Sequence, residues 1–524
     1  LHNSLHSNGT LHAYLSSPFM LESIRAIDTA FDPAIFWQAI NSRDGRFDGR
    51  FFAGVITTKV YCRPICPIPL RKPENVKWFA SAASAEAQGF RPCRRCRPHT
   101  SPGTPAWHGT MAVVSRALRL IHGGALDHGN VDELAEHVGI GARHLRRLFK
   151  KHLGGTPVQI ANARRVRFAR HLLNDNSLPV NQVARSAGFR SIRQFNHSMR
   201  SSFGQSPSSL RKAENATGPF KAGDEISLRL PFRPPLDWPA MLRFLKEHAT
   251  PGVETVDGLC YRRTIQFDSA AGFIEVAPDY NHPRLRLRLR LSSFDSLMPI
   301  VQRIRRAFDL GADPLRISEH IARDRRFRGS LAAHPGLRVP GAWDVFEIAV
   351  LAILGQRLTQ GTRNEDAARL VHAFGQPLES SIDGLTHLFP VPETLADADL
   401  VSIGIKPAKA EMIRALAADF RDEKVNAISA KEISALLRKI SALKGLDEAT
   451  SQYIAMRASG DPDLFLDSDL GVRRALSDGC PQLTRLELQR AAERWRPWGA
   501  YATMYGWIAA REGIWTQKKR RAQA

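Results

Sequence analysis

Four of the six cysteines in this 524-residue chain lie between Cys62 and Cys96, as Cys62-x3-Cys66 and Cys93-x2-Cys96 with twenty-six residues between the pairs. Two close pairs of thiols are what a tetrahedral zinc site needs, because each pair spans one edge and the intervening chain folds back to bring the second pair opposite the first. The chemistry such a site offers is nucleophilic: a coordinated thiol stays deprotonated at neutral pH. Two disulfides are the rival arrangement, but they require an oxidising compartment to which nothing in the sequence points. The spacing does not single out one of the four as a nucleophile, and a purely structural zinc knuckle satisfies it equally. Cys260 and Cys480 stand in unrelated contexts and read as ordinary buried thiols.

The charge balance says what lies near this chemistry. There are 74 Lys+Arg against 51 Asp+Glu, a formal net charge of +23, and the sequence pI is about 10.3. Such an excess suits a polyanion, above all double-stranded DNA, since each phosphate contact releases counterions. Hydrophobic content of 43% and charged content of 24% are those of globular protein, and the length predicts three or four domains. No apolar run reaches the roughly eighteen residues of a membrane helix, so no membrane association is expected. The first residues lack the basic-then-apolar order of a secretion signal, Met20 could be the start, and a cytoplasmic monomer is expected.

Around the cysteines, Phe51 to Tyr61 has the β-branched and aromatic content of a strand leading into Cys62, and Ala80 to Gln88 reads as a short helix. The motifs TT-x3-CRP-x-C, ENV and GFRPCRRC in this stretch resemble the N-terminal domain of the Ada adaptive-response proteins. The resemblance implies that a zinc-bound cysteine, at the position of Cys62, accepts a methyl group irreversibly from DNA methylphosphotriesters. Four thiolates on one Zn²⁺ carry a formal charge of −2, and methylating one leaves −1, so repair itself should strengthen DNA binding.

Residues 99–106 form a Pro/Gly/Ser/Thr linker. Beyond it, Asp132-Glu-Leu-Ala135-x3-Gly139-x5-Leu145 fits a helix-turn-helix, with a small residue where the helices touch and Gly at the turn. The second helix, near Ala142 to Lys151, displays Arg143, His144, Arg146, Arg147, Lys150 and Lys151. A looser copy follows at Val183-Ala184-x3-Gly188-x6-Phe195, with Arg190, Arg193, Gln194 and Asn196. Joined by a basic helix carrying Arg164, Arg165, Arg167 and Arg170, the two units resemble the AraC-type DNA-binding domain, most clearly in GFRSIRQFNHSMRSSFGQSPSSLR. That implies two recognition helices in neighbouring major-groove segments and, for an activator, RNA polymerase as partner.

After a second linker at 212–223, strands are predicted at Ile226 to Leu230, Leu259 to Gln266, Phe273 to Ala277 and Arg284 to Leu291. In the last, Arg and Leu alternate strictly, giving one apolar and one basic face, either solvated or facing DNA. PFRPPLDWPAMLRFL with GVETVDGLCYRRT resembles the small N-terminal domain of AlkA-type 3-methyladenine DNA glycosylases. GLRVPGAWDVFEIAVLAILGQRLT and AERWRPWGAYATMYGW are similar to the helix-hairpin-helix glycosylase superfamily, whose hairpin falls on Leu443-Lys-Gly445-Leu-Asp447-Glu-Ala449-Thr450. The resemblance implies that Asp469 is the catalytic carboxylate, with Asp467 two residues away, that Gly445 and Thr450 meet DNA, that Tyr453, Trp507 and Gln356 line the base pocket, and that Arg357 fills the gap left by a flipped base. A fixed carboxylate beside C1′ would stabilise the developing oxocarbenium charge, and aromatic faces would hold a cationic base extruded from the duplex.

Three positions depart from that superfamily. Asp447 replaces a second hairpin glycine, Ala449 replaces a pocket tryptophan, and Arg357 stands where AlkA has an apolar wedge. Enzymes that also cut the backbone carry Lys at the Ala449 position, so a monofunctional glycosylase is expected. No Pro-Cys-His-Arg methyl-acceptor motif of the second Ada type occurs, and O6-methylguanine repair is not predicted. The expected fold is multidomain and mainly α with α+β parts: an Ada-type zinc-binding α/β domain (31–100), an AraC-type double helix-turn-helix (107–213), a small antiparallel α+β domain (224–330) and an all-α helix-hairpin-helix glycosylase domain (331–516). The expected function joins methyl sensing, transcription activation and excision of 3-methyladenine and 7-methylguanine. The alternatives are a methylation-sensing regulator whose glycosylase half is catalytically weak, and a repair enzyme whose helix-turn-helix half only tethers it to DNA.

Overall fold

The computed structural model describes residues 33–512 apart from short stretches, chief among them 67–72, 80–84, 99–112, 212–224, 357–359, 423–436 and 478–482. Both linkers, most of the helix predicted at Ala80 to Gln88, Arg357 and Cys480 therefore lie outside the described residues. No helix among the described residues is long and apolar enough to cross a membrane.

Helix α1 (Pro33–Asn41) precedes a four-stranded sheet of order β3-β1-β2-β4, built from β1 (Phe52–Val55), β2 (Val60–Cys62), β3 (Val76–Phe79) and β4 (Arg91–Pro92). The single strand expected over Phe51 to Tyr61 is instead a hairpin: β1 and β2 pair antiparallel across a polar turn closed by Lys59 at φ 53°. Three polar residues, Thr57, Thr58 and Lys59, give the chain nothing to bury there, so it reverses. Gly54 is required by close approach, because a Cβ there would stand 2.5 Å from the Phe79 ring and 2.8 Å from the Phe90 ring. Phe36 of α1 stacks on Phe51 at 4.1 Å and closes the other face.

Next come α2 (Val131–His137), α3 (Ala142–Leu153), α4 (Pro157–Asp175), α5 (Val180–Ser186) and α6 (Ile192–Phe203). Asn130 starts α2 through a reciprocal capping box with Glu133. Gly139 and Gly188 hold φ of 78° and 75° between the helices of each pair, which is why glycine sits at both turns. Leu145 and Phe195 are fully buried anchors. The basic helix joining the two units is α4, and part of its charge is internal. Arg164 and Arg165 point inward and are 6% and 7% exposed, each donating at 2.9 Å to the buried carboxylate of Asp127.

A five-stranded antiparallel sheet follows, of order β5-β9-β8-β7-β6: β5 (Glu225–Pro231), β6 (Glu254–Asp257), β7 (Cys260–Phe267), β8 (Ala270–Asp279) and β9 (Arg284–Leu291). The alternation of β9 is realised, with Leu285, Leu287, Leu289 and Leu291 at 1% exposure or less. Its outer face is an ion-pair ladder in which Arg288 meets Glu225 and Glu275, and Arg284 meets Asp279. Cys260 at the start of β7 is half-buried rather than buried. Helix α7 (Trp238–His248) crosses from this sheet to the helical region formed by α8 (Val345–Gly355), α9 (Glu448–Ser459), α10 (Leu470–Leu476), α11 (Arg485–Ala492) and α12 (Gly499–Glu512). The sheet also meets the second helix-turn-helix: Ser186 donates to the Phe294 carbonyl at 2.7 Å and Gln182 to Asp295 at 2.7 Å, above one continuous core.

Breaking a buried ion pair from one side leaves uncompensated charge. Asp127→Ala, which strands two buried guanidiniums, is expected to lower stability by about 3–5 kcal/mol in denaturant titrations of the full chain, whereas Arg288→Ala on the solvated ladder should cost less than about 1 kcal/mol.

Candidate active sites and DNA-facing surfaces

The zinc centre arises from strand register. β2 and β4 run parallel with Tyr61 opposite Pro92, so Cys62 and Cys93 leave adjacent strands side by side. Cys66 folds back through its N–H to the Arg63 carbonyl at 3.0 Å, and the Arg63 N–H points at the Cys96 sulfur at 3.4 Å. All four sulfurs lie within 4.8 Å of one another. A Zn–S bond of about 2.3 Å in tetrahedral geometry implies sulfurs about 3.8 Å apart, so this cluster fits the ion with small adjustment. The donor chemistry agrees. Hydrogen bonding among the closely packed thiols pushes Cys62 up and Cys93 down. Holding four thiolates together takes a dication.

The recognition helices present their expected side chains in part. On α3, Arg143, Arg146 and Arg147 are exposed, and His144 is half-buried, with its Nδ1 2.9 Å from Arg147. On α6, Arg193 and Gln194 are exposed, and Ser191 caps the helix by accepting from the Gln194 N–H. Arg190 precedes α6 and donates to the Asp127 carbonyl at 3.1 Å, which ties it to the same buried charge cluster as Arg164 and Arg165.

The third site is a cavity of about 530 Å³ between α7, α8, α9 and α12, and Asp469, Tyr453, Trp507 and Gln356 all line it. Asp469 caps α10: its Oδ1 accepts from the Val472 N–H at 2.7 Å and from the Trp507 indole at 3.3 Å. Among the described residues its Oδ2 has no partner. Asp467 is absent from the lining; its carboxylate is engaged by Gln452, Gln489 and Arg485. The structure thus separates two aspartates that the sequence set side by side.

Sequence reasoning missed the far wall. Phe244 of α7 stacks on His248 at 4.1 Å and runs near-parallel to Trp507 at 6.5 Å. Its signal was present in LDWPAMLRFL, where Phe244 shares a helical face with Met241 and His248. Arg457 lies over the Phe244 and Tyr453 rings, at 4.9 and 5.5 Å, and donates to the Tyr453 hydroxyl. Burial and the adjacent guanidiniums hold His248 down to about 3, so it is neutral. At the hairpin, Gly445 has φ 95° and its carbonyl accepts from Gln356 at 3.0 Å. Asp447 caps α9, accepting from the Thr450 N–H at 2.8 Å. A negative side chain therefore occupies the helix end that would otherwise offer its N–H groups to a phosphate.

Comparison with known proteins follows the same division. The family profile described as metal binding domain of Ada matches residues 35–99, a helix-turn-helix domain matches 134–213, and the AlkA N-terminal domain matches 227–344. The probable bifunctional transcriptional activator/DNA repair enzyme AlkA of Mycobacterium tuberculosis is 39% identical over 477 residues, covering 90% of this chain and 95% of that protein. This chain belongs to that family of bifunctional activator/repair proteins. Within the family pattern, its C-terminal half is similar to DNA-3-methyladenine glycosylase 2 of Escherichia coli, 29% identical over 53% of this chain and 95% of that one. Its N-terminal part is similar to the bifunctional transcriptional activator/DNA repair enzyme Ada of E. coli, 36% identical over 26% and 37% of the two chains. The solved 3-methyladenine DNA-glycosylase from Archaeoglobus fulgidus superposes with TM-score 0.46 at 23% identity, over 54% of this chain and 98% of that one. The four-cysteine cluster is accordingly a zinc-binding site of the Ada type, and DNA is the partner of a protein with these domains.

Two outcomes follow from the geometry. Asp447→Gly removes one negative charge from the hairpin and frees the Thr450 N–H, so duplex affinity by fluorescence anisotropy at low salt should rise about fivefold, the worth of one unit charge near a phosphate in water. The second concerns His334, which bridges Asp237 at 2.7 Å and Glu512 at 2.8 Å, where Arg243 also pairs with Glu512. Its hydrogen bond to Asp237, followed by that to Glu512, raises its pKa. A raised histidine stabilises the fold fully below its unfolded pKa, about 6.5, and loses that contribution as pH climbs through the folded value. The melting-temperature gap between wild type and His334→Gln should therefore be widest below that pH and close on the alkaline side.

Proposed function

We propose that this protein senses methylated DNA through Cys62, activates transcription through its paired helix-turn-helix units, and excises alkylated purines in the cavity headed by Asp469. The observation that carries the excision reading is Asp469 itself: one oxygen is spent on capping α10 and orienting Trp507, and the other is left to a cavity walled by aromatic rings. A 3-methyladenine or 7-methylguanine nucleotide, flipped out of the stack, already carries positive charge on its base. As the N-glycosidic bond breaks, its electron pair neutralises that base and C1′ becomes cationic. Asp469 stabilises this charge until water adds and gives up a proton. Tyr453, Phe244 and Trp507 hold the leaving base by its faces. Among the described residues no lysine lines the cavity, which supports hydrolysis without a covalent amine intermediate.

At the other centre, one zinc ion held by Cys62, Cys66, Cys93 and Cys96 would keep the thiols ionised. The Cys62 thiolate attacks the methyl carbon of a phosphotriester, the carbon–oxygen bond breaks, and its electron pair returns to the phosphate as an ordinary diester. The product thioether has lost one negative charge, which favours closer contact with DNA. Arg143, His144, Arg146 and Arg147 on α3, with Arg190, Arg193 and Gln194 at the second unit, would read the operator, and RNA polymerase is the partner this requires. The protein acts as a monomer in this reading.

A second reading, a methyl-sensing regulator with a weak glycosylase half, draws on the capped hairpin at Asp447 and the small side chain at Ala449. Release of free base from DNA carrying 3-methyladenine or 7-methylguanine decides between them. Wild type should release both, and Asp469→Asn should lose about a thousandfold or more in single-turnover rate, the scale of removing a preorganised charge beside the transition state. No release from folded, DNA-bound wild type leaves only the regulator. Cys62→Ser should abolish methyl transfer from methylated DNA, read by mass spectrometry of the protein, while base release continues.

A further inference from the structure

Asp467 is 8% exposed, in the loop that ends on Asp469, and it is surrounded by donors from two helices. Gln452 of α9 donates to its Oδ1 at 2.6 Å, Arg485 at the start of α11 donates to its Oδ2 at 3.1 Å, and Gln489 of α11 donates to the same oxygen. The Gln452 carbonyl oxygen in turn accepts from the Ser468 N–H at 3.2 Å, one residue before Asp469. Arg485 reaches further, to Glu448 in the first turn of α9, at 2.8 Å. Glu448 directly follows Asp447, so one guanidinium joins the hairpin to the loop that carries the carboxylate of the cavity.

We propose that Asp467 is the positioning residue of the excision centre, a buried carboxylate that registers Asp469 against the DNA-holding hairpin through Gln452 and the Arg485–Glu448 bridge. The proposal rests on the reading of Asp469 as the group that meets the sugar cation. Asp467 does not line the cavity and touches no substrate; its role is to fix the two residues that follow it. Four residues donate to this carboxylate, the fourth being the Ser468 hydroxyl at 3.3 Å, which leaves it a single geometry, and the Gln452 bond to the Ser468 N–H passes that geometry along the backbone to the cap of α10. Burial alone would raise the Asp467 carboxyl, yet the bonds from Gln489, Gln452 and Arg485 outweigh it and hold the group below its ordinary range. The hub is therefore charged at neutral pH, as an anchor that accepts from four residues requires. Because α9 supplies both the hairpin end and Gln452, any shift of the hairpin on DNA carries the loop with it.

The test uses duplexes containing one of two stable abasic analogues: a pyrrolidine, whose ring ammonium imitates the sugar cation, and a neutral tetrahydrofuran. A correctly placed Asp469 distinguishes them by charge, so wild type should bind the first more tightly, and Asp469→Asn should lose that preference. Asp467→Asn is expected to reduce the preference about tenfold, the scale of one charge-assisted contact put out of reach, while leaving tetrahydrofuran affinity unchanged. The double variant Asp467→Asn/Asp469→Asn should match Asp469→Asn alone, because the hub acts only through that carboxylate. Gln452→Leu, at a half-buried position, should reproduce the partial loss if Asp467→Asn fails to fold. An unchanged preference in both variants, or equal weakening of both ligands, overturns the positioning role. If wild type shows no preference and releases no base, the excision reading falls first and takes this proposal with it.

Discussion

The bond from the Val472 N–H to Asp469 Oδ1 is the interaction on which the glycosylase half depends. On the proposed reading Asp469 meets a cation, and such a carboxylate has to be immobile without being neutralised; those demands conflict, because an arginine would immobilise it and cancel its charge. A helix cap resolves the conflict, because the first turn of α10 fixes one oxygen with a neutral donor and adds its own partial positive end. The Trp507 indole fixes the same oxygen from the side. Asp467 shows the opposite solution two residues earlier, with an arginine and two amides using up its lone pairs. One carboxylate is held by charge and the other by geometry, and of the two only Asp469 lines the cavity.

How much of this was legible in the sequence depended on how local each determinant is. The cysteine cluster was readable because x3 and x2 spacings are local, and the two turns bring the pairs together once β2 and β4 align. The helix-turn-helix units were readable because Gly139 and Gly188 are the positive-φ residues that such a turn requires. Strand β9 was readable because Leu and Arg alternate with the period of a pleat. Phe51 to Tyr61 misled because two short strands and their turn share the composition of one long strand. The sequence placed Arg164 and Arg165 only on a basic helix and left their direction open: a buried arginine and a DNA-facing arginine are the same letter, and the residue that turns them inward, Asp127, lies 37 positions away from the first of them. The wall built from Phe244 required knowing that α7, which lies between β5 and β6 in sequence, packs beside α12 at the far end of the chain.

Asp447 shows why a departure from a pattern need not be a defect of folding. Glycine at this place leaves the N-terminal N–H groups of α9 open, whereas aspartate satisfies one of them internally. The fold gains a cap, and the hairpin offers less to a phosphate. The same chain carries a formal net charge of +23, so general attraction to DNA is abundant and one local repulsion is affordable.

The join between the halves follows from hydrophobic burial rather than from a designed linker. Phe189, Phe195 and Met199 of the second helix-turn-helix share one core with Ile226, Leu228 and the leucines of β9, and Ser186 and Gln182 seal its edge at Phe294 and Asp295. A buried apolar surface of this kind cannot be exposed without cost. The second recognition unit and the small sheet are therefore packed as one body, although residues 212–223 between them are a linker by composition. The sheet in turn contributes α7, and with it Phe244 and His248, to the wall of the cavity. A displacement of the second helix-turn-helix on DNA has a continuous packed route to the cavity wall, through the β9 leucines, β7 and α7. Strand β4, which leads into Cys93, packs against α6, so the cysteine centre adjoins the same scaffold.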